Sequence, residues 1–232
     1  METLLKRPPD ARWLLVLGHG AGAGMRHPFL DAMAERLAER GIATLRYQFP
    51  YMERGGRRPD SRPTLIRAVR AAVEGARDAA GDLPLLAGGK SMGGRMTSLA
   101  TSEAPLPGVR GLVFMGFPLH PAGDPSAERG EHLRQVRLPM LFLQGTRDAL
   151  ARIDLMRELC EGLGPRAALH VVEDADHSFR LPARSARTTE EALVELAEAV
   201  RGWAARLEGR GAGGHGPVAS EAQARAGRGS FP

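Results

Sequence analysis

A serine set between glycines, an aspartate and a histidine carry the chemistry legible in this chain. Gly89-Lys90-Ser91-Met92-Gly93 is a G-x-S-x-G pentapeptide. A serine hydroxyl is a weak nucleophile until a base takes its proton and a positive field stabilises the oxyanion that its attack creates. A sharp turn from strand to helix supplies the geometry. The backbone is strained there, and small residues two before and two after the serine avoid clashes. The pentapeptide has that context, following the apolar run 83–89 and preceding a helical pattern from 94. Taken alone it is only moderately specific in a chain with 29 glycines, and Ser91 as a simple helix cap is the competing reading. A phosphate-binding G-x-x-x-x-G-K-S loop is excluded, because Pro84 stands where its first glycine belongs.

The partners decide between the two readings. In hydrolases built on such a turn, an acid and then a histidine follow the serine, each at the carboxyl end of a strand. Asp148 follows the strand-like "PMLFLQG", and His177 follows "AALHVV" in "EDADHSF". His177 would accept the Ser91 proton, while Asp148 would fix its tautomer and stabilise the imidazolium. Asp174 and Asp176 are lesser candidates for the acid, and Asp148 could instead cap a helix near 150. The oxyanion needs two N–H donors: Met92, directly after the serine, and one from the glycine loop "GHGAGAGM" (18–25), where Ala21 is preferred over Gly22. Losing one such donor typically costs about 3 kcal/mol of transition-state stabilisation.

The other histidines are weaker candidates. His170 lies within a strand, His27 begins a helix, His132 sits on a helical turn and His215 is near the end of the chain. His120 is expected to line a pocket with Tyr51, Phe117 and Leu119, the rim being formed by residues 50–63 and 116–137. Cys160 lies on an apolar stripe and reads as a core residue. No cluster has metal-ligand spacing, and neither a metal nor a cofactor is expected.

The elements that must position these residues alternate. Strands are predicted at 13–18, 42–49, 83–89, 109–117, 139–145 and 167–172. Helices are predicted at 27–41, 64–81, 94–104, 150–163 and from Thr188, which forms a capping box with Glu191. Six strands alternating with helices predict one α/β domain over residues 1–208, with a mostly parallel sheet, helices on both faces and no large lid. Residues 209–232, rich in Gly, Ala, Ser and Arg without apolar period, are expected to be a disordered tail.

Composition narrows the setting. Of the 232 residues, 43% are hydrophobic and 25% charged, as in ordinary globular proteins. The net charge of +5 comes from arginines scattered among acids, with aromatics at only 5%, so no nucleic-acid partner is expected. No apolar run approaches the roughly 20 residues of a membrane span. With one cysteine there is no internal disulfide, and a cytoplasmic location is expected.

One rival uses the same glycine loop. Gly18-x-Gly20-x-x-Ala23 fits a relaxed dinucleotide fingerprint, with Arg46 placed to meet a 2′-phosphate. It lacks the acidic ribose ligand and leaves Ser91, Asp148 and His177 without a role.

Taken together, "GHGAGAGM", "YQFPYME", "GGKSMGGRM", "FMGFPLHPAG", "PMLFLQGTRD" and "DADHSF" resemble the α/β-hydrolases. More narrowly, they resemble the small, lidless dienelactone-hydrolase-like group, in a branch with testis-expressed hydrolase-like proteins and a histone-acetyltransferase-complex subunit. The resemblance runs from about residue 12 to 207 and implies triad roles for Ser91, Asp148 and His177, with oxyanion roles for Ala21 and Met92. It implies a serine hydrolase acting on an ester, thioester or small lactone. Dienelactone hydrolases proper use cysteine where this chain has serine. The chromatin-associated relative implies the alternative of a catalytically silent scaffold.

Overall fold

The computed structural model describes residues 1–212. Its centre is a seven-stranded sheet: β1 (Thr3–Lys6), β2 (Trp13–Gly18), β3 (Ile42–Tyr47), β4 (Leu85–Lys90), β5 (Val109–Met115), β6 (Met140–Gly145) and β7 (Ala167–Val172). The order across the sheet is β1-β3-β2-β4-β5-β6-β7. All neighbours are parallel except β1, which pairs antiparallel with β3 at the edge. Parallel strands covered on both faces need continuous apolar sequence. Every residue of β2, β3, β4 and β6 is accordingly buried.

Among the described residues six α-helices accompany the sheet: α1 (Pro28–Ala38), α2 (Pro50–Glu53), α3 (Arg62–Ala80), α4 (Met92–Glu103), α5 (Ile153–Leu163) and α6 (Thr189–Ala212). One face of the sheet packs against α3, α4 and α5, the other against α1 and α6. Glycine permits close approach where it matters: a Cβ on Gly111 would lie 2.6 Å from the Trp203 ring. The capping box at the start of α6 is formed, with Glu191 N–H donating to Thr188 Oγ1 (3.2 Å) and Thr188 N–H to Glu191 Oε2 (2.6 Å).

The sheet has one strand more than the sequence pattern suggests. β1 alternates exposed and half-buried residues over four positions, too short for a period to register. The segment 50–53 forms α2, where no helix is predicted, and 128–135 forms a 3-10 helix that includes His132, expected on a helical turn. The last helix runs to Ala212, past the expected boundary at 208; the rest of the expected tail, 213–232, and with it His215, lies outside the described residues. Because the parallel strands share one direction, the loops after β2, β4, β6 and β7 emerge at one edge of the sheet. That edge carries residues 19–25, Ser91, Asp148 and His177.

Candidate active site

Ser91 sits between β4 and α4 with φ 51° and ψ −115°. A non-glycine residue in the left-handed region stores strain on the order of 1–3 kcal/mol. The surroundings enforce it. A Cβ on Gly89 would lie 2.5 Å from Gly18 O, and one on Gly93 2.3 Å from the same oxygen. The glycines flanking the serine therefore let the turn press against the end of β2. The Ser91 N–H donates to Met115 O (3.1 Å), which pins the turn to β5 as well.

The three residues expected to act together meet. Ser91 Oγ lies 2.9 Å from His177 Nε2, and His177 Nδ1 lies 2.7 Å from Asp148 Oδ2. A carboxylate only accepts, so the imidazole proton belongs on Nδ1, leaving Nε2 to receive the serine hydroxyl. The Asp148 side chain is buried, and His177 is partly open to solvent. Asp148 is held from two further sides: Leu150 N–H donates to Oδ1 (2.8 Å), and the Gln144 amide donates to Oδ2. It caps no helix, since α5 begins at Ile153. Asp176 Oδ1 accepts from the amides of Ser178 and Arg180 (2.8 and 2.9 Å) and shapes the His177 loop. Asp174 instead takes a turn with φ 60°, its N–H on Thr146 Oγ1. Neither of these acids hydrogen-bonds the His177 ring, whose partners are Asp148 and Ser91.

The glycine loop folds beside the serine. A Cβ on Gly20 would lie 3.7 Å from Ser91 Cβ, and Ala21 lines the same cavity as Ser91. His19, fully buried, braces this loop: its Nδ1 lies 2.7 Å from Gly20 O, and its Nε2 accepts from Phe49 N–H (3.1 Å). Burial pushes its pKa down and favours the neutral ring that this pairing needs. Tyr51 Oη accepts from Gly22 N–H (2.9 Å) where that glycine takes φ +68°. Met92 opens α4, where first-turn N–H groups have no intrahelical acceptor. Ala21 thus borders the cavity that holds the serine, and Met92 follows the serine in the chain.

A cavity of about 360 Å³ opens above Ser91 and is lined by Gly20, Ala21, Ala23, His27, Phe29, Leu30, Lys90, Leu150, His177 and Ser178. This lining contains none of Tyr51, Phe117, Leu119 and His120, the residues expected to form it. Phe117 and Leu119 are fully buried on the opposite face of the sheet, with Phe117 packed on Phe114 and Phe142. Their apolar run turns into the core after β5. His120 is a brace, Nδ1 2.7 Å from Pro121 O and Nε2 accepting from Arg152 N–H (2.8 Å). Tyr51 supports the glycine loop from behind. The wall comes instead from the loop after β2, the start of α1 and the His177 loop, so segments 50–63 and 116–137 do not form its rim.

Sequence reasoning missed Gln144, the one polar side chain in "PMLFLQG", and Lys90. Lys90 is 9% exposed, and among the described residues its Nζ has no hydrogen-bond partner. Burial lowers its pKa to about 8, against the raising influence of the Asp148 and Asp176 charges. The remaining candidates are structural. His170 pairs with Glu195 (2.8 Å), His27 accepts from Phe29 N–H at the start of α1 (3.2 Å), and His132 meets the Ser98 hydroxyl (2.7 Å). Cys160 is buried, which pushes its thiol up to about 12. Arg46 donates to Asp31 and to Met25 O (3.1 Å), so its guanidinium is already engaged and not free for a 2′-phosphate. Among the described residues, no group of three or more His, Cys, Asp or Glu could hold a metal ion, and no helix is long and apolar enough to cross a membrane.

A mostly parallel sheet, helices on both faces and a serine on a strained strand-to-helix turn define the class. Residues 11–205 match the family described as Alpha/beta hydrolase domain, and the chain belongs to that family. Among solved structures it is similar to a dienelactone hydrolase from Anabaena variabilis (22% identity, TM-score 0.69, covering 88% of this chain and 90% of the other). It is also similar to an α/β serine hydrolase homologue from Coxiella burnetii (19% identity, TM-score 0.68, covering 86% and 90%). A third similar structure is a serine hydrolase without a lid from Xanthomonas campestris (22% identity, TM-score 0.65, covering 87% and 88%). These likenesses are of fold.

Proposed function

We propose that this protein is a cofactor-independent serine hydrolase that cleaves an ester, thioester or small lactone through an acyl-enzyme. The observation that carries the reading is the unbroken chain from Ser91 Oγ through His177 to buried Asp148, at the floor of an open cavity. Ser91 Oγ attacks the acyl carbonyl as His177 Nε2 takes its proton. The imidazolium is stabilised by Asp148, and the new oxyanion accepts hydrogen bonds from the Met92 and Ala21 amides. The tetrahedral species then collapses. The bond to the leaving group breaks, His177 returns the proton to that group, and the acyl chain stays on Ser91. Water activated by His177 repeats the sequence and frees the acid. A cavity without a covering lid suits substrates of modest size.

The motif resemblance to the dienelactone-hydrolase-like branch supports the same reading, as does the serine-hydrolase character of similar folds. The branch's chromatin-associated member raises a scaffold as the alternative. A scaffold has no chemical need for a strained serine aligned on a histidine. Labelling by a fluorophosphonate tests the reading. Wild type should react and turn over p-nitrophenyl acetate, whereas Ser91→Ala should do neither. Folded wild type that neither labels nor turns over would favour the scaffold.

A further inference from the structure

We propose that Lys90 is a substrate-binding residue and that the substrate carries a free carboxylate, on its acyl portion or on its leaving group, which pairs with the Lys90 ammonium. This deepens the hydrolase reading and rests on it for the turnover measurements only. Lys90 occupies the position just before Ser91 and is one of the residues lining the cavity above it; its Nζ is closed to solvent in this structure, so pairing requires the side chain to swing toward the cavity. Its Nζ lies 5.9 and 5.8 Å from the ring centroids of Phe29 and Phe179, which stack on each other at 5.7 Å. A Cβ on Gly116 would lie 3.0 Å from Nζ and 3.5 Å from His177 Cε1, so ammonium and imidazole are neighbours across that glycine. The cation is therefore beside the reacting groups.

Among the described residues, nothing balances its charge by contact. An ammonium has three donors, and this one has no acceptor among the described residues. The two nearby acids are engaged elsewhere: Asp148 with His177, Gln144 and Leu150, and Asp176 with the amides of Ser178 and Arg180. Among the described residues, no acidic one lines the cavity. A buried, unpaired cation is unfavourable unless a counter-charge arrives, and phenyl faces compensate only in part. A ligand monoanion supplies that counter-charge one for one. A phosphate dianion would leave a second charge unmatched in a cavity with a single ammonium.

The test compares kcat/KM for matched substrates in wild type and Lys90→Met. One pair is mono-p-nitrophenyl glutarate against p-nitrophenyl valerate. The other is 4-acetoxybenzoate against 4-acetoxybenzamide. In wild type the carboxylate member of at least one pair should be preferred tenfold or more, and Lys90→Met should lose that preference. The ratio should also fall in wild type as the pH rises through about 8, where the ammonium gives up its proton. Steps on His177 affect both members alike and cancel in the ratio. This second measurement needs no variant, and Lys90→Gln replaces Lys90→Met should the latter misfold. No preference in wild type for either pair, or a preference unchanged by the substitution, overturns the proposal. If wild type hydrolyses no ester, the hydrolase reading fails and calorimetric titration of monoethyl glutarate decides the carboxylate site separately. Binding to Ser91→Ala that disappears in Ser91→Ala/Lys90→Met upholds it, and no binding to Ser91→Ala overturns it.

Discussion

Gln144 donates its side-chain amide to Asp148 Oδ2, the oxygen that also accepts from His177, while its own carbonyl accepts the Phe117 N–H at 3.0 Å. The glutamine thereby ties the acid of the triad to the backbone leaving β5. All three groups are buried, and buried polar groups are costly to leave unpaired. Gln144→Leu keeps the bulk and removes both bonds. Hydrogen bonds to a charged group contribute about 1.5–3 kcal/mol, so a loss felt in the transition state lowers kcat by about 10- to 100-fold. Steady-state kinetics with p-nitrophenyl esters check this, with KM changing far less than kcat. Unchanged kcat would show that Asp148 needs no such support.

The strain at Ser91 separates stability from function. Glycine tolerates φ 51° without steric cost, so Ser91→Gly should abolish turnover yet raise stability. Relief of about 1–3 kcal/mol of strain, less the roughly 1 kcal/mol entropic cost of glycine, leaves a gain on the order of 1 kcal/mol. For a domain of this size that corresponds to an increase of about 2–4 °C in Tm. Thermal unfolding of wild type and variant measures it. A lower Tm in the variant would mean that the serine side chain contributes more to packing than its backbone gives away.

Much of this arrangement is legible in the sequence, for a physical reason. Strand ends are marked by apolar runs giving way to polar loops, and in a parallel sheet those ends share an edge. Ser91, Asp148 and His177 could therefore be assigned to one edge from local pattern alone. Lys90 and Gln144 lie at the ends of such apolar runs, and their importance depends on what distant segments bring to them. The Lys90 ammonium gains meaning only from the rings of Phe29 and Phe179, which no local period foretells. The cavity wall failed to emerge for the same reason. Phe117 and Leu119 are apolar in either role, and the direction in which the chain leaves β5 decides that they are core. β1 lacked a signal because an exposed four-residue edge strand has little burial to encode.

Tyr51 acts on the glycine loop through one bond. Its hydroxyl fixes Gly22 N–H, next to the Ala21 amide assigned to the oxyanion. Tyr51→Phe removes that acceptor while keeping the ring buried against His19. The Gly22 amide is then free to turn, and Ala21 with it. Loss of one oxyanion donor costs about 3 kcal/mol, so partial misplacement should lower kcat by about tenfold with little change in Tm. Kinetics and a melting curve on the same preparation separate the two effects. A large drop in Tm with proportionate loss of folded protein would assign Tyr51 to packing alone.

His132 makes stability depend on pH through a group outside the site. Burial first, and then the charges of Arg95 and Arg62, depress its pKa from 6.5 to about 4. The folded protein keeps the ring neutral against the Ser98 hydroxyl, whereas the unfolded chain protonates it in the ordinary histidine range. Between those two values the unfolded state binds a proton that the native state refuses. Its contribution is therefore present above about pH 6.5 and is lost progressively as the pH falls toward about 4. His132→Gln keeps a polar partner for Ser98 and removes the titration. Its Tm should fall less than that of wild type between about pH 7 and about pH 4.5. His19 is shifted in the same direction but is common to both proteins, so the difference between the two curves belongs to His132. Parallel curves would mean that the ring is protonated as readily in the folded chain as in the unfolded one.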